Sequence, residues 1–168
     1  MRRSNFFVAG VLMSLLVGLS PAAAQAFTLE GYFAGKTHAV GSFSAITGLK
    51  RRFTVDLTGR WKDQTLTLVE DFVYEDGERE RKTWRFRKIS DGQYLGTRED
   101  VVGETLVKIS GDAARFTYLI DLPSEGGTNR VRFHDKMTLE SDGRLINTAL
   151  VTKFGFPVAL TRVEFERP

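Results

Sequence analysis

The chain has 168 residues, 42% of them hydrophobic, and carries 24 Lys and Arg against 21 Asp and Glu. It contains no cysteine, which excludes disulfides, thiolate chemistry, cysteine-rich metal sites and acylation of an amino-terminal lipoprotein cysteine. The charges are interspersed rather than gathered into a stripe, so nucleic acid is not an expected partner.

Residues 1–26 read as a secretion signal. Arg2 and Arg3 give a positive start, Phe6 to Leu19 is mostly apolar, and Ala24-Gln25-Ala26 has the small-x-small form that a signal peptidase cuts. The apolar run falls short of the roughly 20 residues of a membrane-spanning helix. Cleavage is therefore expected after about Ala26, leaving one domain over 27–168 in the periplasm. With Arg2 and Arg3 gone the charge is nearly balanced. A domain of this size buries about 68–70% of its unfolded-chain surface, enough for a core without covalent staples.

From Phe27 onward the apolar period is two, and no segment of ten or more residues shows a helical stripe. Phe33, Phe43 and Phe53 fall in the first three apolar segments. Lys50-Arg51-Arg52 is the one concentrated basic cluster. It reads as a solvated strand end or as a peripheral contact with anionic lipid headgroups. Phe53, Val55 and Leu57 then alternate with Thr54, Asp56 and Thr58, the pattern of a strand with one wet face. Gly59-Arg60-Trp61 matches the Gly-x-Trp signature of lipocalins, which carry it on their first strand rather than this far along.

Thr65 to Phe86 predicts two strands joined at Glu75-Asp76-Gly77, where Gly supplies the left-handed residue of a three-residue hairpin. That turn sets Leu66 opposite Phe86, Leu68 opposite Trp84 and Glu70 opposite Lys82, with Phe72 and Tyr74 continuing the apolar face. Asp71, Arg81, Arg85 and Arg87 decorate the reverse face. Ser90-Asp91-Gly92 and Ser141-Asp142-Gly143 repeat the turn chemistry. Applied to the second turn, the same register sets Lys82 opposite Asp100 and Trp84 opposite Arg98, so two rows are expected to cross three strands. Gly111-Asp112 predicts Val107 opposite Phe116. Residues 123–129 read as the loosest loop and a mobile lip. The third turn sets Leu139 against Leu145, Phe133 against Val151 and Asp135 against Ala149, with Val158–Glu166 as the last strand.

About ten closely spaced strands argue for an all-β fold. With no helix to cover a face or an edge, a meander of this length solves both problems by closing on itself. The expected fold is a single up-and-down antiparallel barrel of lipocalin-like or avidin-like type, with a β-sandwich as the alternative.

Leu68-x-Glu70-Asp71-Phe72-x-Tyr74-x-Asp76-Gly77, Tyr94-x-Gly96, Asp100-Val101-x-Gly103 and Lys153-Phe154-Gly155 together resemble a bacterial envelope family, domain of unknown function 3833. The resemblance runs over nearly the whole chain after the leader. It implies an envelope location, often as a lipoprotein and often beside genes for membrane fatty-acid modification. It carries no activity or catalytic residues. This chain lacks the acylated cysteine, and His134 and Lys136 stand where the family leads one to expect an Asp-Asp-Trp core.

A carboxylate on an apolar face is costly unless paired. Glu70, Asp100 and Asp135 all sit on the inferred inner face with Lys82 and Arg98 in reach. They read first as ion pairs at a barrel mouth, second as groups that orient a ligand headgroup through Arg98 and Lys82, and third as an acid–base pair. Phe72, Tyr74 and Trp84 complete the candidate ligand-binding set. His38 and His134 are far apart in sequence, so no metal is expected. No nucleophile elbow or phosphate-cradling Gly loop occurs, and no cofactor is expected. The leading expectation is a periplasmic barrel binding a small hydrophobic or amphipathic ligand such as a fatty acyl lipid. A lipid-modifying enzyme and an accessory envelope protein with a solid core are the alternatives.

Overall fold

The computed structural model describes residues 26–124 and 127–168. The expected leader therefore lies outside the described residues, except for Ala26. A single helical turn, α1 (Leu29–Phe33), precedes ten strands. These are β1 (Gly35–Ala45), β2 (Lys50–Lys62), β3 (Thr65–Tyr74), β4 (Arg79–Ser90), β5 (Gln93–Thr97), β6 (Thr105–Ser110), β7 (Ala113–Ser124), β8 (Gly127–Leu139), β9 (Leu145–Lys153) and β10 (Phe156–Glu166). Each strand pairs antiparallel with its sequence neighbours, and β1 also pairs with β10. The sheet is thus a closed up-and-down barrel, not a sandwich.

Turn chemistry sets the register. At the β3–β4 hairpin the Tyr74 N–H donates to the Glu78 carbonyl, Asp76 accepts from the Glu78 N–H, and Gly77 adopts φ +86°. The pairs Leu66–Phe86, Leu68–Trp84 and Glu70–Lys82 follow as expected. The β8–β9 hairpin repeats the arrangement with Asp142 and Gly143, giving Phe133–Val151 and Asp135–Ala149. The β4–β5 turn differs locally: a bulge between Lys88 and Ser90 tightens it, yet Phe86 still faces Gly96 as the same register requires. Most of the expected loop at 123–129 is taken up by β7 and β8, which pair as far as Ser124 and Gly127; its tip, 125 and 126, is outside the described residues.

Two expectations need correction. Arg98 and Asp100 are not on a third strand, because β5 stops at Thr97 and only Arg85 to Ser90 of β4 pair with it. A helix is also present, although it is one turn long. Thr28 caps it by accepting from the Gly31 N–H, and Leu29, Tyr32 and Phe33 are buried. Five residues are too few for a periodic stripe, so the apolar period could not reveal it.

α1 lies across the barrel end that holds the β2–β3, β4–β5, β6–β7 and β8–β9 turns. The Tyr32 hydroxyl donates to the Phe165 carbonyl at 2.9 Å, and Phe33 packs edge-on against Phe165. Glu30 accepts from Lys88 at 3.1 Å and from the Tyr94 hydroxyl at 2.5 Å. Gly59 makes this closure possible: a Cβ there would lie 1.8 Å from the Phe33 carbonyl oxygen. The Gly of the Gly-x-Trp match therefore admits the sealing turn. Gly59→Ala should destabilise the fold by about 1–3 kcal/mol, as overpacking against rigid backbone does. A urea midpoint unchanged in the variant would remove this account of the closed end.

Candidate functional site

The barrel encloses a cavity of about 530 Å³. Inward positions of nearly every strand supply its wall. Leu29 and Phe33 of α1 form the floor, while Phe43, Leu49, Arg51 and Tyr74 line it near the opposite end, which stays open. The solid-core alternative is thereby set aside. Two aromatic groups dominate the wall. Phe53, Phe72 and Tyr74 touch one another on β2 and β3, with Phe53 5.6 Å from Phe72 and 5.7 Å from Tyr74. Trp84 meets Tyr118 edge-on at 5.3 Å, and Tyr118 stacks on Phe133 at 5.5 Å.

One level of this wall is polar. Past the end of β5, residues 98–104 cross toward β7: Val101 bridges to Ile120 and the Val102 N–H donates to the Leu119 carbonyl. This places Arg98 inside, its side chain 9% exposed, with its guanidinium 4.8 Å from the Trp84 ring. Arg98 donates from Nε to Asp100 Oδ1 at 2.7 Å and from Nη2 to Asp100 Oδ2 at 3.2 Å. It also lies 3.8 Å from Glu70 Oε2. Lys82 donates to Asp100 Oδ2 at 2.8 Å and stands 3.3 Å from Glu80. The expected Lys82–Asp100 and Trp84–Arg98 contacts therefore form, but through a crossing loop.

A second polar group adjoins it. Asp135 of β8 accepts from Asn147 Nδ2 of β9 at 2.6 Å, and the Tyr118 hydroxyl approaches the same carboxylate. Asn147 lies outside the set of candidate residues that the sequence predicts. It shares the inward row of Leu145, Ala149 and Val151 on β9, so the apolar period places it inward, but an uncharged amide carries no signal of a site in sequence. Of the Lys50-Arg51-Arg52 cluster, expected to be a solvated strand end or a lipid contact, Arg51 lies over the Tyr74 ring at 3.8 Å and pairs with Asp76 and Glu78. Of the eight candidate residues, Glu70, Phe72, Tyr74, Lys82, Trp84, Arg98 and Asp135 line the cavity. Asp100 stands behind Arg98 and Lys82 and joins them.

The electrostatics separate the carboxylates. Burial pushes the Glu70 carboxyl up from its ordinary 4.5 to about 7, against the pull of Arg98 and then Lys82. Burial likewise raises Asp135 to about 6, opposed by Asn147 and Tyr118. Burial works against the Asp100 charge as well, but Arg98 and Lys82 outweigh it and hold that carboxyl below its usual range. The cluster sets three acids against two bases. Among the described residues, the cavity-lining side-chain atoms that are buried without a hydrogen-bond partner are Glu70 Oε2, Asp135 Oδ2 and Asn147 Oδ1, all acceptors.

A closed antiparallel barrel, sealed at one end by a helical turn and hollow along its axis, is a lipocalin-like barrel. It superposes on an S-type phycobiliprotein lyase from Guillardia theta with a TM-score of 0.59 and 9% identity, covering 84% of this chain and 93% of that one. It superposes on Rv2717c from M. tuberculosis with a TM-score of 0.57 and 12% identity, covering 81% and 92%. At these identities the likeness is one of fold. No curated protein matches the chain in sequence. The chain belongs to the family described as protein of unknown function (DUF3833), whose model matches residues 17–167.

Two outcomes follow from the cluster. The folded state holds the Glu70 proton more tightly than the unfolded chain, so this group's contribution to stability declines as pH rises from about 4.5 to about 7. Urea titrations across that range should show the decline. Glu70→Gln should flatten part of it and raise stability at pH 8 by on the order of 1–3 kcal/mol; identical slopes in variant and parent would contradict the assignment. Asp100→Asn leaves Arg98 and Lys82 without their shared anion and should cost about 3 kcal/mol, read as a lowered urea midpoint.

Proposed function

We propose that the protein is an exported, periplasmic carrier or sensor of a small amphipathic molecule, a lipid with one acyl chain. The observation that carries this reading is the cavity itself: about 530 Å³ of largely apolar space broken at one level by unpartnered acceptors. Ligand pockets of about 300–1,000 Å³ with a few convergent polar groups are the usual form of such sites. The leader over residues 1–26 supports export.

The polar level also selects the head. Arg98 gives Nε and Nη2 to Asp100 and lies beside Glu70, and Lys82 is held by Asp100, so both cations are already largely neutralised by the protein's own carboxylates. Beside them stand the unpartnered acceptors of Glu70, Asp135 and Asn147. They suit a head that donates hydrogen bonds, such as a hydroxyl or an amide. A neutral acyl alcohol or monoacylglycerol fits better than a free fatty acid, which would add a fourth anion to two cations.

A Trp61→Phe variant leaves Trp84 as the reporter on the cavity wall. Titration should show dodecanol or monolaurin binding more tightly than dodecanoate at pH 8. Asp135→Ala should weaken the alcohol by about tenfold, the value of one lost hydrogen bond to a charged group. Organic extracts of the protein from its own cells should contain such a molecule by mass spectrometry. Empty extracts together with a silent Trp84 would reject the reading. Acid–base chemistry on the bound molecule is a second reading, favoured by a Glu70 carboxyl raised to about 7 inside the cavity; recovery of every added lipid unaltered would dismiss it.

A further inference from the structure

The open end carries a surface that the cavity does not explain. We infer that the rim formed by the β9–β10 and β1–β2 hairpins docks on a bilayer of anionic phospholipid.

Four large apolar side chains stand out at this rim, each more than half exposed. Phe154 is 89% exposed, Ile46 75%, Phe156 74% and Leu160 60%. The two hairpins are neighbours: the Ile46 N–H donates to the Val158 carbonyl at 2.9 Å, and Phe156 pairs with Lys153. A soluble surface rarely gathers so much apolar area unless it binds something.

Register places the charges behind this tip. Cross-strand partners run Leu150–Leu160–Ser44–Lys50 in the first outward row and Thr148–Arg162–Ser42–Arg52 in the next. Lys50 and Arg52 thus stand behind the apolar edge, with Arg162 beside them 3.5 Å from Glu164 of the following row. Successive outward rows lie two residues apart, about 7 Å along a strand. That spacing matches an interfacial element whose apolar part sinks about 5–10 Å while its cations stay among the headgroups. On the β9–β10–β1–β2 side the two outward rows behind the tip carry Lys50, Arg52 and Arg162 and no carboxylate, which favours a lipid surface of negative sign.

Acidic residues mark the other side of the same end. Asp76 and Glu78 hold Arg51, and Glu99 accepts from the Thr83 N–H. The barrel would therefore meet the membrane tilted, with β9, β10, β1 and β2 down. Leu49 belongs both to this rim and to the cavity lining, so the mouth would open toward the bilayer. That last step rests on the ligand reading above; docking itself does not.

The test uses the exported protein, its start determined by intact mass, floated with vesicles. Phosphatidylglycerol mixed into phosphatidylcholine should bind it, pure phosphatidylcholine much less, and high salt should release it. Phe154→Ser with Phe156→Ser should weaken binding at least tenfold. Lys50→Gln with Arg52→Gln should weaken it about fivefold per residue. Both double variants should keep the parental melting curve and the Trp84 response to dodecanol, so loss of docking is separable from loss of ligand binding. Binding indifferent to lipid charge or to these residues would overturn the inference. So would a concentration-dependent dimer that the Phe pair abolishes while vesicles are ignored, because the rim would then be a self-interface.

Discussion

Where β5 ends at Thr97 the barrel wall loses its ladder, and side chains take over. The half of β4 from Arg79 to Trp84 has no strand partner on that side, because β5 has five residues against twelve in β4. Unpaired strand groups next to an apolar interior are costly. Here Glu99 receives the Thr83 N–H, Lys82 reaches Asp100, and Arg98 turns inward to lie against Trp84. The crossing segment then rejoins the sheet through Val101 and Ile120. A short strand thus forces charge into the interior, and the charge gives the cavity its polar level.

Such a cluster is a poor way to gain stability. Buried ion pairs often do no better than apolar residues of the same volume, and here burial raises two carboxyls, Glu70 and Asp135. The arrangement makes more sense as specificity. On the ligand reading proposed above, the unpartnered acceptors of Glu70, Asp135 and Asn147 would discriminate among molecules that otherwise bury the same apolar area.

The two ends of the barrel are built to opposite purposes. At one, α1 packs Phe33 down onto Gly59 and ties Glu30 to Lys88 and Tyr94, so apolar and polar contacts together close it. At the other, apolar side chains face outward around the mouth with cations ranked behind them. The cavity is closed at the first end and opens at the second, beside this apolar lip.

Much of this was legible in the order of residues. Alternation marked the strands, and the turns at Asp76-Gly77 and Asp142-Gly143 fixed which residues face each other, because a hairpin's loop length sets its register and a slip of one reverses every side chain. Glu70 opposite Lys82, and Asp135 among apolar neighbours, follow from that rule alone. Tertiary structure decided what local rules do not encode: that β5 stops early, so Arg98 and Asp100 arrive by a loop; that five residues after Thr28 close one end; that Arg51 turns to Tyr74 rather than to solvent; and that the aromatics surround space instead of filling it. Each depends on how side chains from distant strands share one enclosed volume, and pairing between neighbours in sequence carries no information about that volume.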